Sequence, residues 1–295
     1  MKGRRPAPGR RGATRRLAAY HGDPLATLLT TLFAALLGPF LSWSCAAALK
    51  TARPLAEITG GAAVTVAEVD GMLAGAESLY RQRRVEAVRE AAALALRACA
   101  AEPRRDDAII AAVRLRVWLA ERETDPAGRD RAAASAVEIV QWCGRGGAPT
   151  PVCSYWLGAA LGVQARERPS TGISALPRIE AAFKAAAAGD PTLEEAGPDR
   201  ALALLYLRAP GWPTGPGDPE LGLEHARKAV ALRPDHPPNL LALAEALAAN
   251  GEAGAAGEQY LRALDRATAA EREGEPDAGE WVSEARRAPA VRNGG

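Results

Sequence analysis

Residues 222–264 read GLEHARKAVALRPDHPPNLLALAEALAANGEAGAAGEQYLRAL, and this stretch decides the fold. Gly222, Ala226 and Ala229 recur as Ala256, Tyr260 and Ala263, each 34 residues further on. Small residues at helical spacing, returning at about this period, are the signature of a tetratricopeptide-type helix-turn-helix repeat. The predicted helices are Leu221 to Leu232, Pro238 to Ala249 and Ala255 to Ala269, with turns at Arg233-Pro234 and Asn250-Gly251. A repeat protein directs attention to partners and ligands before reactions.

Working upstream, the same pattern loosens. Candidate helices run from Ala74 to Gln82, Val85 to Ala101, Asp106 to Arg122, Arg131 to Trp142, Cys153 to Arg166, Ile173 to Gly189 and Pro198 to Arg208. Ile109, Ile110, Val113, Val117 and Trp118 form an apolar stripe at steps of three and four. Trp156, Ala159, Ala160 and Val163 form another, so Trp156 reads as a core residue. Pro103, Pro191 and Pro234 follow predicted helix ends, because the residue before proline is pushed out of the helical region. Loops are expected at 143–153, 167–172 and 209–219. Glu194-Glu195 is placed at a helix start, where the dipole favours acids. The expected fold is all-α: a tetratricopeptide-like α-solenoid of about four helix pairs with insertions, over residues 66–270. Residues 45–65 read as a linker and 271–295 as a charged, partly disordered tail holding a frayed helix around Trp281.

The 295-residue chain carries a formal net charge of +2. Residues 1–44 hold seven of its 37 basic side chains and one of its 35 acidic ones, so the remainder is at −4. That mildly acidic body gives no basic face for nucleic acid. The basic leader runs into the apolar stretch 25–41, so residues 1–44 are a signal peptide or an N-terminal membrane anchor. Periplasmic or envelope-anchored location follows, with an uncleaved inner-membrane span as the alternative. Any membrane contact would come through this segment or a lipid. Cys45 stands where a lipoprotein carries its acyl chains, although Leu41 is one place early and Trp43 is bulky for the recognition site.

Cys143 and Cys153 bracket a Gly- and Pro-rich loop, and an exported chain meets an oxidising compartment, so they are expected to form a disulfide. Cys99 lies on a helical pattern and reads as a small buried residue. The chain has three histidines, no phosphate-binding loop of P-loop spacing and no G-x-S-x-G elbow. No cofactor, metal or enzymatic activity is expected. The candidate partner or ligand surface consists of Tyr155, Arg178, Arg208 and Trp212. Trp212, in a Pro/Gly-rich loop, is either a plug over the core edge or an exposed contact.

One further pattern runs through 155–220. The order Tyr155-Trp-Leu-Gly-Ala-Ala-Leu-Gly162, Ala175-Leu-Pro-Arg-Ile179, Gly197-Pro-Asp-Arg-Ala-Leu-Ala203, Leu207-Arg-Ala-Pro-Gly211 and Gly217-Asp-Pro-Glu220 resembles the T-component family associated with TRAP transporters. The resemblance spans about residues 70–266 and is strongest over 154–266. It implies an exported, often lipid-anchored, all-α protein with irregular tetratricopeptide-like repeats. It further implies association with an extracytoplasmic ligand-binding protein of an organic-acid or other small-ligand uptake system. A homo-oligomer is a further expected assembly state of such a binding module. The alternative is a general tetratricopeptide scaffold for envelope, outer-membrane or pilus assembly.

Overall fold

Prolines open five of the helices in the computed structural model, which describes residues 52–55, 57, 66–145 and 149–288. Asp125-Pro126, Thr150-Pro151 and Asp218-Pro219 each place a capping side chain before a proline. Asp125 accepts from the amides of Ala127 and Gly128, Thr150 from Cys153, and Asp218 from Leu221. Proline suits the first helical turn because its missing N–H would be unpaired there anyway.

Eleven helices result among the described residues. They are α1 (Val66–Tyr80), α2 (Val85–Ala101), α3 (Asp106–Arg122), α4 (Pro126–Val140), α5 (Pro151–Glu167) and α6 (Pro169–Gly189). The remainder are α7 (Leu193–Arg208), α8 (Pro219–Leu232), α9 (Pro237–Ala249), α10 (Ala253–Arg272) and α11 (Ala278–Arg287). The fold is all-α and built of helical repeats, with five consecutive pairs and a final single helix, against an expectation of about four pairs. Each helix packs on its chain neighbours, and odd-numbered helices also touch the next odd one, as in α3 with α5 and α7 with α9. That near-neighbour pattern fits a tetratricopeptide-like solenoid, in which one helix of every pair lines the inner face.

Three expectations change. The loop at 167–172 shrinks to Arg168, because Pro169 begins α6 instead of interrupting it. The segment read as a charged tail contains α11, which packs on α9 and α10 and buries Val282 and Ala285. Within the expected linker, Arg53 makes three hydrogen bonds to Glu138 of α4, two from its guanidinium at 2.8 and 2.9 Å and one from its amide at 3.2 Å. The leader 1–44, Cys45 and most of the linker lie outside the described residues. No helix of the described residues is long and apolar enough to cross a membrane.

The core is built from small residues at close range. Ala91, Ala95, Ala98, Ala108 and Ala112 are fully buried between α2 and α3, around Ile109 and Val113. In the period-34 region Ala203, Leu223, Ala226, Ala246 and Ala256 join α7 through α10. A side chain at Gly222 would bring Cβ to 2.9 Å from Leu207, so this slot must stay minimal. Arg116 crosses the core with no carboxylate partner among the described residues. It donates to Ser135 and to the carbonyls of Ala92 and Ala112, and burial lowers its pKa to about 10.

Candidate functional site

The two ends of the array meet. Arg83, in the α1–α2 turn, donates to both carboxylate oxygens of Asp277 at 2.6 and 2.7 Å, ahead of α11. Arg122, at the end of α3, pairs with Glu280 of α11. Arg83 has a left-handed backbone (φ 51°), and its guanidinium lies 3.8 Å from the Tyr80 ring centre. A bulky residue held at positive φ costs about 1 kcal/mol or more. Here that turn aims the guanidinium at Asp277.

Closure leaves a chamber of about 390 Å³ on the inner face. Odd-numbered helices, together with Asp277 ahead of α11, supply its lining. Tyr80 comes from α1, Trp118 from α3, Trp156 from α5 and Trp281 from α11. Tyr80 and Trp118 meet edge to face at 6.3 Å, and Arg122 lies over Trp118 at 4.8 Å. The volume falls in the range of small-molecule sites, about 300–1,000 Å³.

Most charges in the wall are paired. Arg114 pairs with Glu77, Arg122 with Glu121 and Glu280, Asp277 with Arg83, and Arg208 with Glu245 at 2.9 and 2.7 Å. Arg200 and Glu284 are different: neither has an ion pair among the described residues, and Glu284 has no hydrogen bond there either. Glu284 is solvent-exposed at the chamber edge; partial desolvation there still raises its carboxyl above its ordinary value, with Arg208 and Arg287 opposing the rise and Glu245 adding to it.

Arg200 is held by an irregular piece of chain. Glu194, Glu195 and Ala196 all have positive φ, at 49°, 57° and 62°. Three left-handed non-glycine residues in a row cost about 1–3 kcal/mol each. The turn presents the carbonyls of Glu194 and Glu195 to Arg200, at 3.2 and 3.1 Å. Arg200 also donates to Asn239 Oδ1 at 2.7 Å. Asn239 is fully buried in α9, and its amide donates to Glu195, Ala229 and Arg233 carbonyls. Gly197 follows the turn because any Cβ there would lie 3.0 Å from the Tyr155 hydroxyl. Glu194-Glu195 is therefore this left-handed turn, not the ordinary helix start the sequence suggested.

Among the described residues, three buried side-chain nitrogen or oxygen atoms lack a partner: Arg114 Nε, Trp118 Nε1 and Trp156 Nε1. All three are donors, and all three residues line the chamber. An unmet buried donor costs about 1–3 kcal/mol.

A second cavity, of about 890 Å³, adjoins the first and shares Arg200, Pro238, Asp277 and Trp281 with it. His236 lines it, edge-on to Trp281 at 5.6 Å. Burial, then Arg200 and Arg233, lowers the His236 pKa to about 4.

The sequence-predicted residues fall in different places. Arg208 lines the chamber. Tyr155 lies beneath the wall, against Trp156 and Phe183, and burial pushes its hydroxyl pKa up while Arg200 opposes the rise. Trp156 is a core residue, 7% exposed, that also borders the chamber. Arg178 lies on α6, away from the chamber lining. Trp212 is 90% exposed, so it is not a plug over the core edge. Its loop is fixed by backbone bonds from Gly215 to Gly211 and from Gly217 to Pro210. Cys143 and Cys153 are joined, with their Cα atoms 5.6 Å apart, beside Asp106. Cys99 is buried, and its thiol is pushed up to about 12 by that burial.

The sequence reading missed Arg200, Glu284, Trp118 and Trp281 as site residues. Arg200 stood in the quoted Gly197-Pro-Asp-Arg segment. The usable signal was position: these residues belong to first helices of successive pairs or to the closing helix. No protein-family model matches the chain, and no curated protein matches it.

Proposed function

We propose that this chain is a non-enzymatic, exported binding module that holds a small ligand in its central chamber and docks on a protein partner. The partner in this reading is an extracytoplasmic ligand-binding protein of a TRAP-type uptake system. The observation that carries the reading is the chamber itself. It is a half-open chamber spanned by Arg83–Asp277 and Arg122–Glu280, walled by aromatic rings, and lined by Arg114, Trp118 and Trp156, each of which buries a donor with no partner. A ligand oxygen that reached one such donor would recover about 1–3 kcal/mol. The exposed Trp212 on a fixed loop supports the docking half, since rigid aromatic anchors concentrate binding energy.

Native mass spectrometry of the full chain, purified without unfolding, tests the first half. A bound small molecule is expected, and Ala242→Trp, which fills the chamber from α9, should remove it. Loss of the molecule on denaturation with no effect of Ala242→Trp would place it elsewhere and count against the chamber. Crosslinking in the native envelope tests the second half. Recovery of an extracytoplasmic ligand-binding protein that is lost with Trp212→Ala is expected; recovery of pilus or outer-membrane assembly proteins instead would favour the scaffold reading.

A further inference from the structure

The chamber's charges are not spread evenly along its depth. On α7, Arg200, Leu204 and Arg208 line it at successive steps of four residues. On α9, Pro238, Leu241 and Glu245 line it at steps of three and four. Each step of four residues is about 6 Å along a helix, so the two charged levels stand about 12 Å apart. Leu204 and Leu241 form an apolar band between them.

The two levels have opposite excess charge. At the first, Arg200 is braced by two carbonyls and an amide oxygen, none of which neutralises it. At the second, Arg208 binds Glu245 and reaches the exposed Glu284 only through space, as Arg287 does from outside the chamber lining. At one end a cation is thus held by neutral acceptors alone, and at the other an exposed carboxylate stands without an ion pair among the described residues. Three strained backbone residues hold the first in place. Strain of that kind persists where the surrounding structure maintains it and concentrates at binding sites.

We infer that the chamber's ligand is an elongated zwitterion: an anionic group bound at Arg200, an apolar middle against Leu204 and Leu241, and a cationic group bound at Glu284. A simple anion would leave Glu284 unmatched, and a simple cation would leave Arg200 unmatched. A zwitterion neutralises both at once and buries its chain in the apolar band. The inference rests on the chamber being a ligand site.

The test is isothermal titration of the full chain with ω-aminooctanoate, octanoate and octylamine. The amino acid is expected to bind at least about tenfold more tightly than either singly charged analogue, the gain of one added ion pair. Glu284→Gln should bring it down to the level of octanoate while leaving octanoate unchanged. Arg200→Gln should bring it down to the level of octylamine. If Arg200→Gln lowers the melting temperature, the Glu284 arm still decides, since Glu284 holds no hydrogen bond that the fold needs. Octanoate binding as tightly as the amino acid, or indifference to Glu284→Gln, would overturn the inference and leave the chamber reading standing. Binding of none of the three also overturns it, and the native-mass result then decides separately whether the chamber holds any ligand.

Discussion

The regular repeat at 222–264 and the left-handed turn at 194–196 lie against each other and obey different rules. In the repeat, small residues recur at a fixed period because helices must approach closely, and Ala226, Ala229, Ala256 and Ala263 are buried where that period places them. In the turn, three residues adopt a conformation that their side chains disfavour, and the neighbouring Arg200 is left without a carboxylate. The repeat spends its sequence on stability; the turn gives up stability to fix a charge. Asn239 ties the two together, since it belongs to α9 yet holds both Arg200 and the Glu195 carbonyl.

The largest effect should come from the regular side. Leu240 is fully buried between α9 and its neighbours. Leu240→Ala should lower unfolding free energy by about 3–4 kcal/mol in urea titration, the usual range for a buried leucine. It should leave any ligand selectivity intact. Its neighbour separates the two regions. Asn239→Leu keeps the volume but strips Arg200 and three carbonyls of a partner. A loss of about 2–3 kcal/mol is expected, together with faster hydrogen exchange at 194–200. Equal stability would mean that the turn does not depend on this tie.

His236 offers a graded test on the cavity side of the turn. Its folded pKa of about 4 lies below the unfolded value of 6.5. As pH falls, the unfolded chain therefore binds a proton first. Stability fully present above about 6.5 is lost between there and about 4. With part of the ring still in contact with solvent, that loss is about 2 kcal/mol. His236→Gln should flatten the melting temperature over that window; an unchanged slope would show that the ring is not shielded.

The smallest effect has the opposite sign. Glu194 has positive φ and no ion pair among the described residues. Glu194→Gly should raise stability by about 1 kcal/mol, because glycine adopts this backbone freely. A loss instead would show that the Glu194 side chain, packed near Gly197, is needed where it stands.

The repeat was legible because its cause is local and periodic. Apolar and small residues at helical spacing announce helices, and the 34-residue step announces pairs. Boundaries were harder, since a proline reads equally well as a stop or as a first helical residue; Pro126, Pro151, Pro169 and Pro219 all proved to be starts. The chamber was largely illegible. It depends on α11 returning to α1 and α3, and the contacts that bring it back join residues 194 and 158 positions apart. Arg208 was named in advance, but its partner Glu245 was not. The left-handed turn carries no glycine or asparagine to mark it. Its residues look like an ordinary acidic helix start, and only packing against Arg200 and Asn239 forces them elsewhere.

Hydrogen exchange of the full chain, read by mass spectrometry with and without saturating ω-aminooctanoate, tests the central claim most directly. That claim is that the turn, the inner face of α9 and the closing helix form one ligand site, while α8 of the repeat only supports it. Protection should rise together at 194–200 and at 278–287 and stay unchanged at 222–232. Protection confined to one of the two segments, or appearing equally in α8, would contradict the account.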